Sequence, residues 1–140
     1  KEEQIPPHTG IFKGKRLLLA EDNELNREIA LEILKEYDFC IDTAENGAEA
    51  LNMVAESHPG YYDIVLMDIQ MPVMNGHEAT KHIRGLAEPA LANIPILAMT
   101  ANAFDEDRKA ALECGMSGFL SKPIEIDQVI QVLQELFMTR

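Results

Sequence analysis

Several polar residues in this 140-residue chain are placed where chemistry could be done, because each closes or closely follows a short apolar run. Glu21 and Asp22 follow Arg16-Leu-Leu-Leu-Ala20, Asp68 ends the run from Tyr62 to Met67, Thr100 ends Ile94-Pro-Ile-Leu-Ala-Met99, and Lys122 comes just after Gly118-Phe-Leu120. Three carboxylates brought to one place repel strongly in a partly buried cleft unless something neutralises them. A hard divalent cation does so, and magnesium suits carboxylates combined with phosphate oxygens. Asp22 and Asp68 suit direct ligation, and Glu21 suits ligation either directly or through water. A lysine ammonium such as Lys122 can steady a phosphoryl oxygen as a point charge, and the Thr100 hydroxyl can donate to another. Together these are the parts of a phosphoryl-transfer site.

The elements that would gather them can be read from hydrophobic periodicity. The runs starting at Arg16, Tyr62 and Ile94 lack alternation, as strands covered on both faces do. Phe39 to Ala44 is a further strand, interrupted by Asp42, and Gly118-Phe-Leu120 a short last one. Helical spacing runs from the Asn23 cap, with Leu25, Ile29, Ile33, Ala30, Leu34 and Tyr37 on one broad stripe. A second helix opens at Asn46-Gly47 with Ala48, Leu51, Val54 and Ala55 as its buried face, and a third carries Ala79, Ile83 and Leu86. Phe104 to Cys114 and Glu125 to Phe137 complete the set. Five strands alternating with five helices specify an α/β domain with a doubly wound, flavodoxin-like parallel sheet. Ligands of such sheets bind at the carboxyl ends of the strands, where all of the polar residues above fall.

At this point a family resemblance is plain. The chain resembles response-regulator receiver domains through Glu21-Asp22, Asp68 within Val-Leu-Met-Asp-Ile-Gln-Met-Pro-Val-Met-Asn-Gly, Thr100-Ala101 and Lys122-Pro123, over about Lys15 to Phe137. Four motifs in order at the right strand ends are far more specific than any one of them. The resemblance implies that Asp68 takes a phosphoryl group from a phosphohistidine on a histidine kinase or histidine phosphotransfer domain, with Mg2+ bound by Asp22, Asp68, Glu21 and the backbone carbonyl of Gln70. It further implies a switch in which Thr100 moves toward the phosphoryl group and Phe119 turns inward behind it, with output through the fourth helix, fifth strand and fifth helix. Phe119 stands where Tyr is commoner, so no hydroxyl is available there. Lys122-Pro123 resembles the family's cis peptide at Pro123.

Several of these residues also have a blander assignment. Asp68 alone would pass for a turn residue and Thr100 for a strand-end hydroxyl, and only their coincidence with the other motifs reverses that. The histidines of His77-Glu-Ala-Thr-Lys-His82 are five apart rather than four, which rejects a zinc helix. A magnesium-dependent aspartyl-phosphate phosphatase is the competing enzyme class. It wants a second Asp two residues after the nucleophile, where this chain has Gln70.

Length, charge and cysteine usage bound the rest. One domain is expected over residues 15–138, preceded by a linker over residues 1–14 from an upstream region. Twenty-four acidic against twelve basic residues, a formal charge of -12, argue against direct nucleic-acid binding. No apolar stretch reaches the roughly 18 residues a membrane span needs. The expectation is a cytoplasmic domain without membrane contact, monomeric when isolated, the C-terminal receiver of a hybrid sensor histidine kinase whose parent chain is compatible with an inner-membrane anchor. Cys40 and Cys114 are expected to be two buried free thiols.

Overall fold

The computed structural model describes residues 14–100, 105–121 and 126–138. Its strands are β1 Arg16–Ala20, β2 Cys40–Ala44, β3 Ile64–Asp68, β4 Ile96–Thr100 and β5 Gly118–Ser121. All pair in parallel in the order β2-β1-β3-β4-β5. The helices are α1 Glu24–Lys35, α2 Gly47–Glu56, α3 Gly76–Arg84, α4 Pro89–Ala92, α5 Asp105–Glu113 and α6 Ile126–Met138.

Alternation along the central strands divides the core into two layers. Leu18, Val65, Met67, Ile96 and Ala98 face Ala50 and Val54 of α2, Ala79 and Ile83 of α3, Leu91 of α4 and Ala111 of α5. Leu17, Leu19, Ile64, Leu66, Leu97 and Met99 face Ala30 and Leu34 of α1 and Val129, Ile130 and Leu133 of α6. Each strand leucine is fully buried, and each such burial is worth about 1.5–3 kcal/mol relative to exposure. This is the physical reason that the strands read as unbroken apolar runs. The sheet order reverses between β1 and β3, so the two strands that end in acidic residues lie side by side at the topological switch point.

The structure departs from the sequence reading in several places. A sixth helix, α4, is inserted before β4. Pro89 occupies its first turn and the Glu88 carboxylate accepts from the Ala90 amide, the arrangement proline favours at a helix start. The expected fourth and fifth helices are therefore α5 and α6. The α2 face that is buried is Gly47, Ala50 and Val54, with Ala55 exposed. Cys114 is buried as expected and its thiol donates to the Ala111 carbonyl at 3.2 Å, but Cys40 is exposed. It lies on β2, which has a neighbour on one side only. Leu25 and Ile29, expected in the core, are 66% and 46% exposed. The Asp42 carboxylate that interrupts β2 accepts from the Tyr62 hydroxyl at 2.8 Å. Burial, and then this bond, push the Tyr62 hydroxyl well above the ordinary tyrosine range.

Arg84, the last residue of α3, ties three elements together. Its Nε donates to the Gly115 carbonyl at 2.7 Å, and its Nη1 donates to the carbonyls of Ala92 at 2.7 Å and Ile94 at 2.6 Å. Burial lowers its pKa, yet a guanidinium stays charged at any ordinary pH. The forked geometry reaches the end of α4, the approach to β4 and the turn between α5 and β5 at once, which a lysine ammonium cannot do. Arg84→Met is expected to lower the free energy of unfolding by about 2–4 kcal/mol, since it strips charged donors from three carbonyls. Arg84→Lys should recover less than half of that loss in urea denaturation. Equal stability of the lysine variant and the wild type would show that the fork is not what matters.

Candidate functional site

Each residue at the carboxyl edge is placed by a local device. At the end of β1 the Glu21 amide donates to the Ala44 carbonyl at 3.0 Å, which carries the β1–β2 ladder one step beyond the strands. The Glu21 carboxylate accepts from the Asn23 amide at 3.1 Å, and the Arg27 guanidinium donates to the Glu21 carbonyl at 2.9 Å. Asn23 then caps α1 by accepting from the Asn26 amide at 2.9 Å. The Glu21-Asp22-Asn23 turn is thus bound from both sides, and the N-terminal dipole of α1 starts next to the two acids.

Asp68 is the last residue of β3. The Ile69 amide beyond it donates to the Met99 carbonyl of β4 at 3.3 Å. Its backbone is covered by Gly76, where an added Cβ would stand 3.0 Å from the Ile69 Cα and collide with the Asp68 carbonyl oxygen. Asn75 and Glu78 form a reciprocal capping box at the start of α3, with bonds of 2.9 and 3.1 Å. The loop between, residues 69–75, is closed by the Gly76 amide donating to the Ile69 carbonyl at 2.9 Å. Within it the Met74 amide donates to the Pro72 carbonyl at 2.7 Å across Val73, whose φ is 68°. This is a three-residue γ-turn of the rare, positive-φ kind, centred on a β-branched residue that resists it.

One carboxylate oxygen from each of Glu21, Asp22 and Asp68 lies within 4.8 Å of the other two. Glu21 and Asp68 are each only 3% exposed, whereas Asp22 faces solvent. At such separations two unit charges repel by up to about 4 kcal/mol at an effective dielectric near 20. Two oxygens on one magnesium stand at most about 4.2 Å apart, given bonds of about 2.1 Å. A small hard cation shared by all three would draw them closer together, since adjacent oxygens on one magnesium stand about 3 Å apart, and the all-oxygen donor set is the one magnesium prefers.

The other expected residues fall as follows. Thr100 ends β4, is half-buried, and is in register with Ser121 of β5. Phe119, in register with Ala98, is half-buried against the α2–α5 layer. The Gln70 side chain is exposed. Lys122 and Pro123 lie outside the described residues. The backbone supports, Gly47, Gly76 and the Val73 turn, are not among the site residues expected from the sequence. A signal for two of them is present in the repeated Asn-Gly-x-Glu at 46–49 and 75–78, which starts both α2 and α3.

Comparison with known proteins agrees with this architecture. Residues 17–134 match the family model described as the response regulator receiver domain. The chain is 41% identical, over 92% of its length, to the two-component system protein A of Emericella nidulans, and 35% identical, over 90%, to probable histidine kinase 4 of Oryza sativa subsp. japonica. It spans only 18% and 14% of those two proteins. Among solved structures, the receiver domain of a sensor histidine kinase from Pseudomonas aeruginosa PAO1, with magnesium coordinated in its active-site cleft, superposes with a TM-score of 0.77 at 33% identity. That match covers 87% of this chain and 96% of the other. A Saccharomyces cerevisiae receiver domain, crystallised with a histidine phosphotransfer protein, gives a TM-score of 0.78 at 31% identity over 89% of this chain and 90% of the other.

The acidic cluster makes a thermodynamic prediction in two parts. At a magnesium concentration a hundredfold above Kd, linkage adds about 2.7 kcal/mol to stability, so calorimetry at constant ionic strength should show a melting temperature that climbs with magnesium. Without magnesium, Asp68→Asn should be more stable than wild type by about 1–3 kcal/mol, because one of the repelling charges is gone, and its melting point should respond little to the ion. A wild-type melting point indifferent to magnesium would remove the case for a cation site.

Proposed function

The chain belongs to the response regulator receiver domains, and on that premise we propose that Asp68 accepts a phosphoryl group from a partner phosphohistidine and operates a conformational switch. The observation that carries the reading is the convergence of Glu21, Asp22 and Asp68 at the switch point of the sheet. One Asp68 oxygen attacks phosphorus as the phosphorus–nitrogen bond breaks. The electron pair leaves with the imidazole, which takes up a proton, and an acyl phosphate remains on Asp68. Asp22, Asp68, Glu21 and the Gln70 carbonyl are the proposed magnesium ligands. When bound, the ion offsets the charge of the carboxylates and of the incoming phosphoryl oxygens. Thr100 donates its hydroxyl to one phosphoryl oxygen and the Lys122 ammonium contacts another. Burial of Asp68 limits the water that can reach the acyl phosphate, and Gln70, having no acidic group, supplies no proton relay for its hydrolysis.

The partner reading rests on a second feature. Leu25 and Ile29 lie one turn apart on the same face of α1, both exposed, and Leu25 is three residues past Asp22. An apolar strip at the rim of an acidic cleft suits a helical partner that must bring an imidazole to Asp68. A histidine phosphotransfer domain or histidine kinase fits, in line with the yeast neighbour crystallised with a phosphotransfer protein. The relatives named as histidine kinases support a hybrid kinase as the parent chain. The switch through Thr100 and Phe119 toward α5, β5 and α6 belongs to the same proposal.

Intact-mass analysis after incubation with acetyl phosphate tests the core of this reading. Wild type should gain one phosphoryl group in a magnesium-dependent manner, and Asp68→Asn should gain none. Turnover of many phosphoester molecules per protein would favour the phosphatase alternative. A second variant isolates the partner surface: Leu25→Asp should slow transfer from a phosphorylated phosphotransfer domain about tenfold or more, as loss of a hot-spot contact does. Its labelling by acetyl phosphate should stay at the wild-type rate. Equal slowing of both reactions would place Leu25 in the cleft chemistry rather than in partner recognition.

A further inference from the structure

We propose that Gly47 is a positioning residue for the acidic cleft, acting through the loop that follows Asp68; the proposal rests on the reading of that cleft given above. Its starting point is the turn at Val73. A β-branched residue at φ 68° holds a conformation that its side chain resists. Val73 is 83% exposed, so burial of its side chain returns nothing for that strain. The turn must be held by its flanks.

On one flank the hold comes from α2. The Gly47 amide, at the first residue of the helix, donates to the Met74 carbonyl at 2.9 Å. The approach is so close that a Cβ on Gly47 would stand 2.9 Å from the Asn75 carbonyl oxygen and from the Met74 carbonyl carbon, and closer still to the Met74 oxygen. All three are backbone atoms, which cannot swing aside as a flexible side chain can. Any residue other than glycine must therefore push α2 off the loop or drive the Met74 carbonyl away and release the turn.

The consequence reaches the cleft because the loop is short and closed. The Gly76 amide on the Ile69 carbonyl makes residues 69–75 a single ring of backbone. Displacement at Met74 is then shared with Gln70, the proposed carbonyl ligand, which lies between Asp68 and the turn. Gly47 is remote in sequence from the acidic motif and touches no reacting group, yet it sets where one ligand oxygen stands.

Magnesium titration calorimetry on the whole 140-residue chain, alongside acetyl-phosphate labelling rates, tests this. Gly47→Ala should weaken magnesium binding tenfold or more, while labelling at saturating magnesium stays within about threefold of wild type. Gly60→Ala is the control, since Gly60 also has a positive φ, of 85°, but a Cβ there meets nothing within 4 Å. It should lose stability and keep wild-type magnesium affinity. Coupling is reciprocal, so in wild type magnesium should slow hydrogen exchange of the Gly47 amide at least threefold and leave the Ser57 amide, at the other end of α2, unchanged. That measurement decides the matter even if Gly47→Ala fails to fold. Wild-type affinity in Gly47→Ala, equal weakening in Gly60→Ala, or a Gly47 amide insensitive to magnesium overturns the proposal alone. Wild-type protein that binds no magnesium overturns the reading of the cleft and this proposal with it.

Discussion

Everything at the functional edge follows from placing two nearly buried carboxylates, Glu21 and Asp68, against a third at the end of a low-dielectric sheet. Burial penalises each charge and proximity penalises the set, so the arrangement favours a cation among the three carboxylates. Only adjacency of β1 and β3 produces it, and that adjacency is the point at which a doubly wound sheet reverses its order. Hydrophobic burial of the strand leucines and isoleucines on both faces provides the free energy that holds the acids together against their repulsion. The site is thus a charged terminus of a fully buried sheet core, not a pocket formed by loops alone.

The loops serve that terminus by different means on its two sides. On the β1 side a chain of side-chain bonds, Asn23 to Glu21, Arg27 to the Glu21 carbonyl and Asn23 to Asn26, fixes the turn. On the β3 side the Asn75–Glu78 capping box is joined by close backbone-to-backbone contacts, made possible by Gly47 and Gly76. Side-chain fastening tolerates substitution by degrees, whereas a contact that excludes a Cβ is all or nothing. Arg84 performs the corresponding fastening at the far end of α3, so this helix is clamped at both termini. Such clamping limits the freedom of β4 and β5, the strands that carry Thr100 and Phe119, to motions that leave the α3 end in place.

Much of this was legible in the sequence, and for a reason. Strands buried on both faces leave unbroken apolar runs, and a polar residue that ends such a run marks the functional edge without any structure. Glu21, Asp22 and Asp68 were found in that way, and the structure brings them together. What periodicity could not decide was which part of a broad apolar stripe turns inward. On α1 the stripe is too wide for one interface, so Ala30 and Leu34 face the sheet while Leu25 and Ile29 remain outside. On α2 the same ambiguity placed Ala55 inside in place of Ala50. Cys40 reads as core by type but sits on an edge strand, and edge position is a property of sheet order, which no local pattern contains. The role of the backbone supports was hidden for a related reason: the repeated Asn-Gly-x-Glu marks Gly47 and Gly76 as helix starts, but a glycine required for close approach looks like any turn glycine until its neighbour across space is known.

The two-layer core also constrains how a change at the cleft would travel. Glu21 and Asp68 continue the alternation of Leu17, Leu19 and of Ile64, Leu66, which belong to the layer under α1 and α6. Phe119 packs in the opposite layer, with Met67, Ala98 and Met116 and under the helices that include α5. Thr100 continues the alternation of Ile96 and Ala98 and so lies on the same face of the sheet as Phe119, which a movement of Thr100 toward a phosphoryl group would reach without crossing the sheet. The shortest route is along the β4–β5 pairing, where Ala98 faces Phe119 and Thr100 faces Ser121. Ala98 is small, so it leaves room beside the ring that a larger residue would fill. With no hydroxyl on Phe119 to gain or lose a bond, the ring movement of the proposed switch would have to draw its preference from packing against this layer and from exposure of the ring to water.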